Sequence, residues 1–247
     1  MIDTIKNKEG EGLDFEFSKG DHDSEQSEWI AVLGHGVTGN KDRPIVADTA
    51  DALNKAGIDT LRFSFSGNGD SEGRFVDSNI SKEVEDLAVA LNAVSGSYSK
   101  VCYLGHSMGA AVGVIRAAED KRINALVSMA GMVDTKAFAQ TEFGEEVPDA
   151  GLMWEETDCP LSSLFMNDLC TTVGNVESWI CKVEVPWLLV HGTGDDVVLP
   201  QDSETVKRLK GDSVDLLSVE GADHSFNEPS HKAALLEAVV SWLRSLA

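Results

Sequence analysis

Basic residues are scarce: 20 lysines and arginines stand against 42 aspartates and glutamates, a formal net charge of −22 over 247 residues. A chain so acidic repels nucleic acid phosphates and anionic membrane surfaces, so neither is expected as a partner. No apolar run approaches the roughly 20 residues of a membrane-spanning helix. The opening Met1-Ile2-Asp3-Thr4-Ile5-Lys6 lacks the hydrophobic stretch of a secretory signal, and a soluble, cytoplasmic protein is the expectation. Cysteine is rare as well. Cys102, Cys159, Cys170 and Cys181 have no paired metal-ligand spacing, and Cys102 falls inside an apolar run. Reduced, mostly buried thiols are expected, with a disulfide among the last three left open. There is no internal repeat and no low-complexity tract.

What the chain does have is 42% hydrophobic residues, enough to fill the core of one large domain. They come in alternating patterns. Trp29 to Leu33 reads as a buried strand, followed behind Pro44 by Ile45, Thr49, Ala52, Leu53 and Ala56 at helical spacing until Gly57. Thr60 to Phe65 is a second strand. A helix with Ile80, Val84, Leu87, Leu91 and Val94 on one face comes next. Val101 to Leu104, a helix from Met108 to Glu119, and the strands Ala125 to Met129, Trp187 to Val190 and Val214 to Val219 continue the alternation. A helix from Pro229 to Leu246 closes it. Strands alternating with helices imply an α/β fold, a mostly parallel sheet with helices on both faces. Asp3 to Lys6 and Leu13 to Phe17 are expected as an antiparallel hairpin at the sheet edge. Residues 131–184 break the rhythm: more than fifty residues pass without a buried strand, far beyond an ordinary connection. Their aromatic and methionine content suggests short helices with an apolar inner face, as in a lid inserted between core segments 1–130 and 185–247.

The sequence Gly105-His106-Ser107-Met108-Gly109 sits where a strand gives way to a helix. A serine in so sharp a turn needs small neighbours two residues either side, and the turn lifts its hydroxyl above the carboxyl ends of the strands. The Met108 amide then opens a helix and faces any oxyanion formed there. A serine hydroxyl is a weak nucleophile near neutral pH, so it needs a base and a group to orient that base. Asp195 and Asp196 end a strand, and His224 follows the next one with Asp223 beside it, giving the chain order serine, aspartate, histidine.

With these motifs, and with "LGHGVTGNKDRP" (33–44) and "FSFSGNGDSEG" (63–73), the chain resembles the α/β-hydrolase superfamily, specifically the feruloyl (cinnamoyl) esterase and serine aminopeptidase-like group, from about Trp29 to the last helix. The resemblance implies Ser107 as nucleophile, His224 as general base and then acid, and Asp195 as the orienting carboxylate in preference to Asp196 or Asp223. It implies the amides of Val37 and Met108 as the oxyanion hole. One departure is Ser64, where such proteins commonly carry an aspartate, which questions the bracing of the adjoining loop.

Structural roles are expected for His35, His106 and His191, solvent-facing positions for His22 and His231, and local hydrogen bonds for Asp70 and Ser71. The glycine-rich stretches have neither dinucleotide nor Walker spacing, and neither cofactor nor metal is expected. The expected activity is hydrolysis of a small-molecule carboxylic ester through an acyl-enzyme. Residues 131–184 hold no arginine and many carboxylates, which favours uncharged or aromatic-acyl esters of modest size. Amide, thioester or carbon-carbon bond hydrolysis, or ligand binding without turnover, are the alternatives the same fold allows.

Overall fold

The computed structural model describes residues 2–23 and 27–246. Seven strands, β1 (Phe15–Ser18), β2 (Trp29–Gly34), β3 (Asp59–Phe63), β4 (Lys100–His106), β5 (Ile123–Met129), β6 (Trp187–Gly192) and β7 (Val214–Val219), form one sheet in the order β1-β3-β2-β4-β5-β6-β7. All neighbours are parallel except β1, which pairs antiparallel with β3 at the edge. The expected hairpin before it shrinks to one bridge, Lys6 with Gly12.

β2 is buried at all six positions because helices cover both faces of the sheet. On one face, α1 (Pro44–Lys55) and α8 (Pro229–Ser245) pack through Val46, Leu53, Leu235 and Val239 against Ala31, Leu33 and Leu104. On the other, α2 (Ile80–Val94) and α3 (Met108–Glu119) pack through Leu87, Leu91 and Val112 against Ile30, Val32 and Tyr103. α1 starts on Pro44, whose missing N–H costs nothing at a first turn. α2 starts on Asn79, whose side chain accepts the Lys82 amide at 2.9 Å.

Between β5 and β6 the chain forms α4 (Thr135–Phe143), a short 3₁₀ turn (Met153–Glu155), α5 (Ser163–Asn167), a π-helical turn (Asp168–Val173) and α6 (Glu177–Ile180). These are the short helices expected there. Their inner residues Phe138, Phe143, Phe165 and Leu169 are continuous with the core beneath α2 and α3. Asp168 accepts the Ser81 amide and hydroxyl at 3.1 and 2.5 Å, fastening the segment to α2. A helix absent from the sequence reading, α7 (Gln201–Lys210), precedes β7; it buries only Ser203 and Val206, too few positions to give an apolar period.

The sheet order reverses at β2: the chain moves to β3 on one side, then returns to β4 on the other. α1 leaves to one face and α3 to the opposite one, so the carboxyl ends of β2 and β4 border a crevice. In open α/β sheets such a switch point is where ligands bind. No helix among the described residues is long and apolar enough to cross a membrane. All four cysteines are free, Cys102 and Cys159 buried, Cys170 partly so and Cys181 exposed.

Candidate active site

Ser107 occupies the turn from β4 into α3 with φ 55° and ψ −121°, a left-handed conformation that side chains seldom adopt. The close approach around it explains both flanking glycines. A Cβ on Gly105 would overlap the Gly109 carbonyl, and one on Gly109 would overlap the carbonyl of His35. Backbone bonds fix the turn: the Ser107 amide donates to Met129 at 3.0 Å, and its carbonyl accepts the Met132 amide at 3.2 Å. The buried Tyr103 hydroxyl donates to the Gly109 carbonyl at 3.0 Å, tying β4 to the first turn of α3.

The loop after β2 lies against this turn. At Gly36 an added Cβ would stand 2.8 Å from Ser107 Cβ and 3.2 Å from its Oγ. His35 holds the loop in place: its Nδ1 donates to the Gly36 carbonyl at 2.8 Å and its Nε2 accepts the Phe65 amide at 3.0 Å. Burial pushes its pKa down to about 4, so the ring stays neutral and bridges the ends of β2 and β3, the structural role expected of it. Next to it, Val37 N–H and Met108 N–H donate to nothing among the described residues; Val37 lines the same cavity as Ser107, and Met108 follows Ser107 as the first residue of α3.

Asp195 follows β6 and His224 follows β7. His224 Nδ1 lies 2.8 Å from Asp195 Oδ2, so it donates to the carboxylate and leaves Nε2 with a free lone pair. Asp196 is exposed, and Asp223 instead accepts the backbone and side-chain N–H groups of Asn227, both at 2.9 Å. The geometry therefore separates the three aspartates and sets Asp195 against His224. Asp195 Oδ1 accepts the amides of Val197 and Val198, each at 3.0 Å. Burial works to raise this carboxyl's pKa, but hydrogen bonds from His191, His224 and the Val198 amide outweigh it and hold the group well below the usual carboxylate range.

His191 has a larger part than the sequence suggested. Its Nε2 lies 3.2 Å from Asp195 Oδ2 and 2.9 Å from the Val198 carbonyl, and its Nδ1 lies 2.7 Å from Ser203 Oγ. Two acceptors face Nε2, which therefore carries the proton, while Nδ1 accepts from the serine. Asp195 is thus gripped by two imidazoles. His106, beside Ser107, sets its ring 4.8 Å from that of His224 and donates from Nε2 to the His224 carbonyl at 3.1 Å. Burial, with the neighbouring His224, lowers its pKa to about 3 and keeps it a neutral donor.

Ser107 and His224 open onto one cavity of about 370 Å³, walled by Val37, Ile45, Trp154 and Val197 and reached by Arg43. The Ser107 hydroxyl makes no hydrogen bond among the described residues; in unliganded sites such contacts are often long and tighten when substrate arrives. Trp154 (φ 49°) and Glu155 (φ 60°) hold left-handed backbone, and Trp154 lines the cavity. Ser71 accepts the Asp14 amide and donates to the Ser64 carbonyl, the local bracing expected of it. Ser64 itself accepts the Lys41 amide at 3.1 Å, so a hydroxyl braces the loop where an aspartate was missed. His22 is only partly exposed and lies 2.8 Å from Asp59, a correction to its expected solvent-facing position. No cluster of metal-ligating side chains occurs among the described residues.

A strained serine at a strand-to-helix turn, on a parallel sheet with a histidine and an aspartate at neighbouring strand ends, defines an α/β-hydrolase of the serine hydrolase class. The sequence profile of the prolyl oligopeptidase family matches residues 79–247, more than half of the chain, and the chain belongs to that family. No curated protein matches the sequence. Among solved structures, Est1E from Butyrivibrio proteoclasticus with ferulic acid bound is 22% identical, covers 98% of each chain and superposes with a TM-score of 0.85. The esterase domain of a Rhodothermus marinus protein is 22% identical over 98% of this chain and 96% of that one, with a TM-score of 0.77. XC6422 from Xanthomonas campestris, described as a serine hydrolase without lid, is 20% identical over 98% of this chain and 93% of that one, with a TM-score of 0.68. These likenesses establish a shared fold.

Proposed function

We propose that this protein hydrolyses carboxylic esters of small molecules through an acyl-enzyme. Ser107 attacks the carbonyl carbon while His224 Nε2 takes the hydroxyl proton and Asp195 steadies the imidazolium that forms. The amides of Val37 and Met108 receive the carbonyl oxygen as it becomes negative. Each such donor is worth about 2.7–4 kcal/mol of barrier lowering by analogy with another enzyme. His224 then passes its proton to the departing alcohol. Water, deprotonated by the same ring, attacks the acyl-enzyme, and the acid leaves with Ser107 restored. Neither metal nor cofactor enters the scheme.

The observation that carries the reading is that a strained serine turn, the Val37 loop and a histidine already bonded to a buried carboxylate border one cavity. Aromatic or short acyl groups suit the apolar walls, and the ferulic acid in Est1E, an esterase of the same fold, supports aromatic acyl groups in particular. Trp154, on the segment 131–184, lines the cavity, which supports reading that segment as a lid.

Membership in a family described as prolyl oligopeptidases favours a second reading, amide hydrolysis by the same residues. A panel of p-nitrophenyl esters of graded acyl length, run beside proline-containing peptide anilides, separates the two. Ester turnover that disappears in Ser107→Ala is the expected result. Preference for the anilides would transfer the assignment to peptidase, and full activity in Ser107→Ala would remove the serine from the mechanism.

A further inference from the structure

Arg43 stands immediately before α1, at the edge of the cavity that Ser107 faces. Its Nη2 donates to the Thr38 carbonyl at 3.0 Å, which tethers the guanidinium one residue beyond the Val37 amide. A guanidinium has five N–H donors in a planar fork. Among the described residues no second acceptor takes one from Arg43 and no carboxylate pairs with it.

Acids outnumber bases 42 to 20 in this chain. Arg62, Arg74, Arg116 and Arg122 each hold a carboxylate, whereas among the described residues Arg43, Arg208 and Arg244 do not, and of these three Arg43 is the one that lines the cavity. The adjacent Asp42 is taken by Lys41 and Arg62. No aspartate or glutamate lines the cavity, so the sign of charge there is the reverse of the surface as a whole. Arg43 is itself exposed, and the walls nearby, Val37, Ile45 and Trp154, are apolar. The charge is also felt at buried His35, beside the loop that borders the cavity, where it adds to burial in disfavouring a proton.

We infer that the ester taken by this site carries a free carboxylate, which pairs with the unengaged fork of Arg43 while Ser107 attacks the ester carbonyl. The inference rests on the ester-hydrolase reading and narrows it. A guanidinium matches a planar carboxylate through two parallel N–H donors. One arginine balances one negative charge; a phosphate dianion would leave a second charge uncompensated in an already acidic molecule. The expectation of uncharged esters came from counting cations within residues 131–184, whereas this arginine arrives from the loop after β2.

Two rigid chromogenic substrates test the inference: the p-nitrophenyl monoester of terephthalic acid, whose free carboxylate cannot reach its own ester, and the p-nitrophenyl ester of terephthalamic acid, its neutral counterpart. The wild type is expected to prefer the acid ester in kcat/KM. Arg43→Met should lower the ratio of the two kcat/KM values about tenfold, the scale of one lost charge-assisted contact, and Arg43→Lys should restore part of it. Should Arg43→Met fail to fold, competition in the wild type decides: terephthalamate should inhibit hydrolysis of the neutral ester and uncharged terephthalamide should not. Turnover of both esters with an unchanged ratio, or equal inhibition by both competitors, overturns the carboxylate site and leaves the esterase. No turnover of either ester, with calorimetric binding of terephthalamate that Arg43→Met abolishes, overturns the esterase and leaves the anion site.

Discussion

Asp195 has only one orientation available to it. Two amides hold Oδ1 and two imidazoles hold Oδ2, and its side chain is fully buried. Asp195→Asn should preserve the fold yet lower kcat by about 10³–10⁴-fold, since an amide at this position turns the wrong hydrogen-bonding group toward His224. Asp196→Asn, at an exposed site, should change it by no more than about twofold. Steady-state kinetics on the two variants checks the assignment; the larger loss in Asp196→Asn would reverse it. His191 competes with His224 for the same oxygen. Without the His191 donor, Oδ2 loses one of its two imidazole contacts and the carboxylate is held less firmly against His224. His191→Leu should therefore lower kcat more than it changes KM, and His191→Gln, which retains a donor, should restore most of the loss. A wild-type kcat in His191→Leu would reduce His191 to a packing role. The positions of Ser107, Asp195 and His224 were legible in the sequence because a tight turn demands glycines at fixed spacing and chain order limits the partners. Arg43 and the second grip on Asp195 were not, because both depend on which loops meet after folding, and a lone arginine or histidine has no local signature.

At the scale of the element, helix α3 was readable to its ends: Ser107 and Gly109 mark its start, and small residues let it sit close on the sheet. α7 escaped because a helix that buries two residues on a polar stretch has no apolar stripe to read. The segment 131–184 was recognisable by composition as helical, but not the manner of its attachment, which depends on Asp168 meeting Ser81 on α2. α2 also carries a cost in its first turn. Glu83 is fully buried, accepts one hydrogen bond from Ser78 at 3.1 Å and leaves Oε2 without a partner. Burial, with the nearby Asp86 and Asp168 charges, raises its pKa well above 4.5, and the folded chain therefore keeps a proton that the unfolded chain releases. That penalty is absent below the unfolded value and grows as pH rises toward the folded one, by about 1.4 kcal/mol per pH unit. Glu83→Gln removes the titration, so its stability relative to wild type should increase with pH above about 4.5. Urea denaturation of both proteins from pH 4 to pH 8 measures this, and parallel curves would show that Glu83 is ionised in the fold.

For the whole molecule, the surplus of 22 negative charges makes the compact state repel itself. Raising salt from about 0.01 M to about 0.15 M shortens the screening length from about 30 Å to about 8 Å, and each ~1 kcal/mol regained should raise Tm by about 2–4 °C. A calorimetric Tm that is flat or falling over this range would show that local ion pairs outweigh the general repulsion. The fold was the most legible feature at this scale, because alternating strands and helices admit few arrangements and right-handed crossovers fewer still. The sheet reversal at β2 then fixes where a crevice opens, and Ser107, Val37 and His224 all border it. That this crevice is a site of covalent acyl transfer is tested most directly by intact-protein mass spectrometry after exposure to a fluorophosphonate. The account predicts one adduct per chain, mapped to Ser107 and absent from Ser107→Ala; folded wild-type protein that stays unlabelled, or carries its adduct on another residue, would contradict it.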